Sequence, residues 1–129
     1  MKLQVAIDRV PVERAMEIVK NITSEANIIE IGTSLTKEFG MSALRPVIEA
    51  AEGVAVLGDI KTCDEGKYEF DLGYRCGFSY PTVMGSASMG TLEACARSAA
   101  EHDGLMMIDL LECDEAVSYT HLTLPTNSR

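Results

Sequence analysis

Residues 54–66 read VAVLGDIKTCDEG, an apolar run that ends abruptly in charged residues. Residues 54–57 are apolar throughout rather than alternating, which is typical of a strand that is covered on both faces. Asp59 and Lys61 follow the run, and residues two apart on an extended strand point the same way. The stretch therefore predicts a buried strand that presents a carboxylate and an ammonium group on one side of its carboxyl end.

Similar apolar runs recur along the chain, at residues 3–7, 28–31, 80–84 and 105–108. Their starts lie about 25 residues apart, which is enough for one strand, one helix and two short loops. The segments between the runs have helical patterns, at residues 12–21, 36–52, 65–76 and 88–102. Gly40 and Pro46 indicate that the second helix is loose or broken in its first half. A βα unit repeated this regularly implies a parallel sheet with right-handed crossovers.

Such a sheet is either an open doubly wound sheet or a closed barrel of eight βα units. The even spacing and the first loop favour the barrel, because residues 8–11 (DRVP) lack the glycines that cradle a pyrophosphate in a G-x-G-x-x-G loop. The predicted fold class is therefore α/β, of the (β/α)8 TIM-barrel type. A complete barrel needs roughly 200 residues or more, so we expect a barrel truncated to about five strands and four helices.

One domain is predicted, with residues 1–113 as the N-terminal portion of a βα barrel. From residue 114 the repeating pattern stops, and residues 117–129 (VSYTHLTLPTNSR) are a polar run without helical periodicity. We interpret residues 114–129 as a non-native or disordered tail.

Composition excludes several classes of function. The formal net charge of −9 disfavours a nucleic-acid partner, because phosphate backbones need clustered lysine and arginine. The apolar runs are too short to cross a bilayer, and the N-terminus lacks the pattern of a signal peptide, so a cytoplasmic protein with no membrane segment is expected. The four cysteines are widely spaced without a C-x-x-C pair, which disfavours a zinc site or a disulfide framework.

Carboxylates stand at the predicted carboxyl ends of four of the five strands: Asp8, Glu30, Asp59 and Asp109. Active sites of βα barrels lie at that end. Any one of these acids could instead cap a helix or face solvent in a loop. Glu30 is harder to explain in that way, because isoleucines flank it, and a partly buried carboxylate needs a cation or a hydrogen-bond partner.

Lys61 lies between two acids, Asp59 and Asp64. Two flanking carboxylates would keep the lysine charged and fixed in position, which suits the stabilisation of a developing anion or the delivery of a proton. A salt-bridged turn without a catalytic role is the alternative. The position at the rim of the predicted barrel favours catalysis.

The D-x-K-x-x-D pattern of residues 59–64 resembles the signature of the orotidine 5′-monophosphate decarboxylase suprafamily. Residues 5–8 (VAID), 29–33 (IEIGT) and 59–69 (DIKTCDEGKYE) most resemble its 3-hexulose-6-phosphate synthases. Residues 82–85 (TVMG) and 107–111 (MIDLL) also match the fourth and fifth strands of that family. The similarity covers about residues 3–113 in register.

The resemblance implies an aldolase of the ribulose monophosphate pathway, a lyase that reversibly joins formaldehyde and ribulose 5-phosphate. It implies that Glu30 and Asp59 hold a magnesium ion, Mg2+, which chelates the oxygens of an enediolate intermediate. Lys61 would stabilise the anion and help to move protons, and Asp8 would bind substrate hydroxyls near it. Asp64 would reach into the partner's site in a homodimer. The implied substrate-binding residues are Asp8, Glu30, Asp59 and Lys61, and the implied catalytic residues are Lys61, Asp59 and Asp64.

Some features depart from the family pattern. Pro81 lies inside the fourth strand, where its missing N–H weakens a central ladder. Ser86 and Ser88 stand where the family's Gly-x-Ala-Asp type of turn would have an apolar and an acidic residue. The family's histidine of the sixth strand and its phosphate-binding residues would lie beyond residue 129, so we expect the chain by itself to be inactive or nearly so. Two alternatives stay open: a 3-keto-L-gulonate-6-phosphate decarboxylase, which shares the rim motifs, and a non-catalytic half-barrel binding module.

Overall fold

The computed structural model describes residues 1–113, so the predicted tail at residues 114–129 lies outside the described part. Strands and helices alternate along these residues. The strands are β1 (Gln4–Ile7), β2 (Ile28–Ile31), β3 (Ala55–Thr62), β4 (Tyr80–Met84) and β5 (Met107–Asp109). The helices are α1 (Val12–Ile22), α2 (Thr33–Phe39), a 3₁₀ helix (Met41–Leu44), α3 (Arg45–Glu49), α4 (Gly66–Cys76) and α5 (Met89–Glu101). No helix in this part of the chain is both long and apolar enough to cross a membrane.

The strands form one parallel sheet in the order β1-β2-β3-β4-β5. A doubly wound sheet has a switch point, where the strand order reverses and the helices change face. Here each strand pairs with the next one along the chain, and no reversal occurs among the described strands. The βα-barrel prediction is confirmed in the form of a partial barrel, and the open doubly wound alternative is wrong.

The predicted helix over residues 36–52 is three shorter elements, so the described residues contain five α-helices where about four were expected. The α2 helix ends at Gly40, whose φ of 80° is a conformation that side-chain-bearing residues rarely adopt. The 3₁₀ helix follows, and α3 begins with Pro46 in its first turn, where a missing N–H costs little. Glycine and proline therefore divide the segment, and five α-helices result.

The two faces of the sheet differ in chemistry because side chains alternate along a strand. One set of side chains is buried against the helices, including Ile29, Ile31, Val56, Ile60 and Val83. The alternate positions on the same strands carry the acids and the lysine of the predicted site. The hydrophobic core thus lies between the sheet and the helices, and the reactive groups project from the other face.

The pairing of β3 with β4 contains a bulge. Gly58 pairs with Pro81 and Thr62 pairs with Val83, so β3 has extra residues opposite the middle of β4. A bulge is where a proline is tolerated inside a sheet, because the ladder is interrupted there anyway. Pro81 therefore sits beside an existing break in the ladder, which explains why a proline can occupy the fourth strand.

Two glycines allow close packing around β3 and α4. A Cβ at Gly58 would lie 2.5 Å from the Phe78 ring, which is 3% exposed and belongs to the core. A Cβ at Gly66 would lie 2.8 Å from the carbonyl oxygen of Thr91 on α5. Both distances are below any normal contact, so these positions need glycine to keep the sheet and the helix layer in place.

Candidate active site

A cavity of about 300 Å³ opens on the sheet face that points away from the helices. All five strands contribute to its lining, which consists of Gln4, Glu30, Leu57, Asp59, Lys61, Thr82, Met107 and Asp109. Three residues that the sequence predicted as site residues, Glu30, Asp59 and Lys61, therefore line the same space.

Lys61 is held between two carboxylates. Its Nζ lies 3.3 Å from Oδ2 of Asp59 and donates a hydrogen bond to Oδ2 of Asp109. Burial by itself would lower the pKa of the Lys61 ammonium, but the hydrogen bond to Asp109 and the attraction of Asp59 outweigh it and raise that pKa above its ordinary value. The lysine is consequently a fixed cation at neutral pH.

Asp59 uses both of its oxygens. The hydroxyl of Thr33, at the start of α2, donates to Oδ2 over 2.6 Å, and the hydroxyl of Thr82 on β4 donates to Oδ1 over 3.0 Å. The side chain is only 14% exposed, and a carboxylate in such a place is stable only when hydrogen bonds and a cation replace its water. Two hydroxyls and Lys61 supply that replacement.

Glu30 lies on β2 and pairs with Leu57 of β3. Asp59 is two residues after Leu57, so its side chain is on the same face of the sheet as that of Glu30. The side-chain amide of Gln4 donates to its Oε2 over 2.6 Å. Glu30 is partly buried, and its predicted need for a polar partner is met by a neighbour on β1. A second carboxylate thus faces the cavity without a direct salt bridge to Lys61.

Glu30 and Asp59 are the residues that could hold a magnesium ion. Mg²⁺ prefers oxygen donors, and proteins often bind it through one or two carboxylates while water and substrate fill the other positions. Within residues 1–113 no group of three acidic, histidine or cysteine side chains is placed to enclose a metal. The donor set therefore fits an open two-carboxylate site that substrate completes, and it does not fit a closed cage.

Asp8 and Asp64 do not line the cavity. The exposed Asp8 side chain accepts hydrogen bonds from the backbone N–H of Ser34, over 3.3 Å, and from its hydroxyl. Gly32 makes room for it, since a Cβ there would lie 2.2 Å from the Asp8 carboxyl carbon. Asp64 is exposed and accepts from the N–H of Glu65 over 2.9 Å. The roles implied for these two acids remain predictions, and Asp8 behaves here as a residue that binds the start of α2.

Three residues of the site were not among the site residues that the sequence predicted. Asp109 was visible as an acid at the end of a strand, but nothing in the sequence paired it with Lys61. Thr33 and Thr82 carry no local signal, because threonine is ordinary both at the start of a helix and in a strand.

Burial by itself would raise the pKa of Asp109, but the hydrogen bond from Lys61 and that from the N–H of Leu111 bring its pKa below the usual value.

We expect Asp109→Asn to lower the free energy of unfolding at neutral pH by about 1 kcal/mol, because it removes one charge of the pair with Lys61. The pKa of Asp109 is lowered in the fold, so its contribution is fully present above the ordinary carboxyl pKa and is lost as pH falls through the lowered value. The pKa of Lys61 is raised, so at alkaline pH the contribution of the ion pair to the free energy of unfolding is lost only as pH rises through that raised value.

Denaturant titrations of the wild-type and Asp109→Asn chains at neutral pH and at about pH 3 measure this difference. The gap between the two proteins should narrow at the acidic pH, while Asp103→Asn, at an exposed residue in the turn before β5, should show no such change. An equal gap at both pH values would contradict the assignment of the ion pair.

The sequential parallel sheet defines the chain as part of a βα barrel, and the carboxylate–lysine cavity is a candidate site toward the carboxyl ends of its strands. Comparison with known proteins narrows this class. The chain belongs to the orotidine 5′-phosphate decarboxylase / HUMPS family, whose family model matches residues 1–124. The resemblance found in the sequence is thereby confirmed.

Relatives within the family include proteins named 3-hexulose-6-phosphate synthase. The one from Mycobacterium gastri is 35% identical over 115 residues, which is 89% of this chain and 56% of the relative. The crystal structure of the Salmonella typhimurium protein is 30% identical with a TM-score of 0.88, and the match covers 95% of this chain and 59% of that one. The chain spans a little over half the length of these relatives.

A second group of solved structures shares the fold. The 3-keto-L-gulonate-6-phosphate decarboxylase of Vibrio cholerae superposes with a TM-score of 0.85 at 24% identity, covering 94% of this chain and 57% of that one. Identity at this level shows the common barrel architecture alone. The two relatives described above that are at least 30% identical to this chain are both named synthases.

Proposed function

We propose that the protein to which this chain belongs is a 3-hexulose-6-phosphate synthase, an aldehyde-lyase that reversibly joins formaldehyde to ribulose 5-phosphate. The observation that carries the proposal is the placement of Lys61 between Asp59 and Asp109, in the same cavity as Glu30. This is a fixed positive charge beside oxygen donors, which is what an enediolate intermediate requires. The relatives with this name support the choice of substrate.

The proposed reaction is an aldol addition. A base removes a proton from C1 of ribulose 5-phosphate, and the electron pair left on the resulting enediolate attacks the carbon of formaldehyde. The former formaldehyde oxygen then takes up a proton, so the product contains every atom of the two substrates. Lys61 is suited to stabilise the anion and to deliver a proton, because its ammonium group is held between the carboxylates of Asp59 and Asp109.

The other residues of the cavity would prepare Lys61 and the substrate. Asp59 and Asp109 fix the ammonium group at a single position, which avoids reorganisation when charge develops. A magnesium ion bound by Glu30 and Asp59 would supply positive charge for the oxygens of the substrate. Glu30 and Asp59 would thus bind the ion, and Lys61 would act on the carbon skeleton.

The proposal extends to a cytoplasmic homodimer in which Asp64 reaches the partner's site. Asp64 is exposed just before α4, and the nearby Tyr68 side chain is 63% exposed, so both are available for contact with a second copy. An aromatic side chain with this exposure is common at protein interfaces. These observations support the dimer, which stays a prediction.

We also propose that the 129 residues alone turn over little or no substrate. Among residues 1–113 the cavity lining contains the carboxylates of Glu30, Asp59 and Asp109 but the single cation Lys61, which is already paired twice. Phosphate carries about two negative charges and would be repelled by that lining. The groups that bind the phosphate would therefore have to come from outside this cavity lining.

The test is to assay formaldehyde-dependent loss of ribulose 5-phosphate by this chain and by a full-length version that carries the whole barrel. We expect turnover by the full-length protein and none above background by the chain. Robust turnover by the chain alone would contradict the proposed division of the site. Release of carbon dioxide from 3-keto-L-gulonate 6-phosphate, without aldol activity, would favour the decarboxylase, and inactivity on both substrates would favour a binding module.

A further inference from the structure

The hydroxyl of Thr82 links the two charged residues of β3. It accepts a hydrogen bond from the backbone N–H of Lys61 over 2.9 Å and donates one to Oδ1 of Asp59 over 3.0 Å. A hydroxyl has one hydrogen to donate, so this pattern uses its donor fully and one of its acceptor positions. Thr82 is 3% exposed, so water does not compete for these bonds.

The backbone at Lys61 needs such a partner. Its φ of 51° lies in the left-handed region, which a residue with a side chain adopts only where the surroundings hold it there. Lys61 lies within the bulge between Gly58 and Thr62, where the regular pairing of β3 with β4 is broken. The side chain of Thr82 takes the place of a strand carbonyl as the acceptor for the Lys61 N–H.

The orientation of the Asp59 carboxylate depends on the same hydroxyl. Thr82 holds Oδ1, while Oδ2 accepts from Thr33 and faces the Lys61 ammonium. With Oδ1 held on the β4 side, Oδ2 is directed toward the lysine. One buried hydroxyl on β4 thus fixes both the backbone of the cation and the side chain of its partner.

We propose that Thr82 is a positioning residue for the reaction, which acts through Asp59 and Lys61 by holding the β3 bulge in its reactive conformation. The inference rests on the proposed function, since it concerns the same cavity. Its chemical basis is the loss of preorganisation: an ammonium displaced by a fraction of an ångström stabilises a developing anion less well.

The test compares Thr82→Val, which keeps the shape and loses the hydroxyl, with Thr82→Ser, which keeps the hydroxyl. In the full-length enzyme we expect Thr82→Val to lower kcat by about 10- to 100-fold with little change in KM, and Thr82→Ser to remain within about threefold of wild type. Ser98→Ala is the matched control, because it removes a fully buried hydroxyl that donates to Asp71 over 2.6 Å on the outer helices. That variant should lose stability and keep its kcat.

Hydrogen exchange of the Lys61 amide gives a readout that does not depend on activity. Thr82→Val should speed exchange at Lys61 by about tenfold or more relative to the buried strand amide of Ile29, and Thr82→Ser should not. Equal exchange and equal kcat in wild type and Thr82→Val would overturn the proposal, as would losses of kcat in Thr82→Ser or Ser98→Ala that match the loss in Thr82→Val. If the full-length wild-type enzyme has no aldolase activity, the proposed function fails and the catalytic role of Thr82 fails with it, whatever the exchange data show.

Discussion

Replacing Lys61 by alanine is expected to lower kcat/KM of the full-length protein for formaldehyde and ribulose 5-phosphate by on the order of 10³-fold. Among residues 1–113, Lys61 is the single cationic side chain that lines the cavity. Asp59 and Asp109 hold it in position. Its loss leaves three carboxylates facing a developing anion. Because the interaction strengthens as charge develops, steady-state kinetics should show the loss mainly in kcat.

Lys67→Ala is the matched control for this prediction. Lys67 is exposed on α4 and forms ion pairs with Asp71 and Glu101 on the outer helix layer, away from the cavity. We expect its removal to leave kcat/KM unchanged within about twofold, since exposed ion pairs contribute little to stability. If Lys61→Ala were folded, by circular dichroism, and retained activity within about tenfold of wild type, the proposed catalytic role of Lys61 would be wrong.

Asp59→Asn is the second change with a large expected effect, again on the order of 10³-fold in kcat/KM. The amide keeps the size of the side chain but removes one of the two charges that hold Lys61, and it replaces a charged proposed ligand of magnesium by a neutral one. Activity measured against magnesium concentration should require about 10- to 100-fold more metal for half-saturation, if any activity survives. Calorimetric titration of the variant with magnesium alone measures the same weakening without turnover.

Asp103→Asn serves as the control for the loss of one carboxylate. Asp103 is exposed in the turn between α5 and β5, at the end of the sheet opposite the site, and its φ of 50° is a conformation that asparagine tolerates well. It should match wild type in rate and in magnesium dependence. If the magnesium concentration for half-saturation were unchanged in Asp59→Asn, Asp59 would not be a metal ligand. That would hold even if the loss of the ion pair with Lys61 lowered the rate.

The repeating architecture could be predicted from the sequence because its signals are local. Strands were expected at residues 28–31 and 80–84, and β2 and β4 have those bounds. The end of α4 at Cys76 was predicted correctly, because Gly77 can adopt the left-handed conformation that ends a helix. The third strand carries Asp59 and Lys61 at its carboxyl end, as expected, and it continues one residue further to Thr62.

The sequence by itself determined the parallel βα order and the face on which Glu30, Asp59 and Lys61 would meet, because both follow from apolar runs and from the two-residue repeat of a strand. Only the tertiary structure decided that Asp109, 48 residues further along the chain, pairs with Lys61, and that the hydroxyl of Thr82 holds the bulge. Both depend on which side chains neighbouring strands bring within hydrogen-bond distance. That distance is set by strand register and by the break in pairing between β3 and β4, which no local stretch of residues encodes.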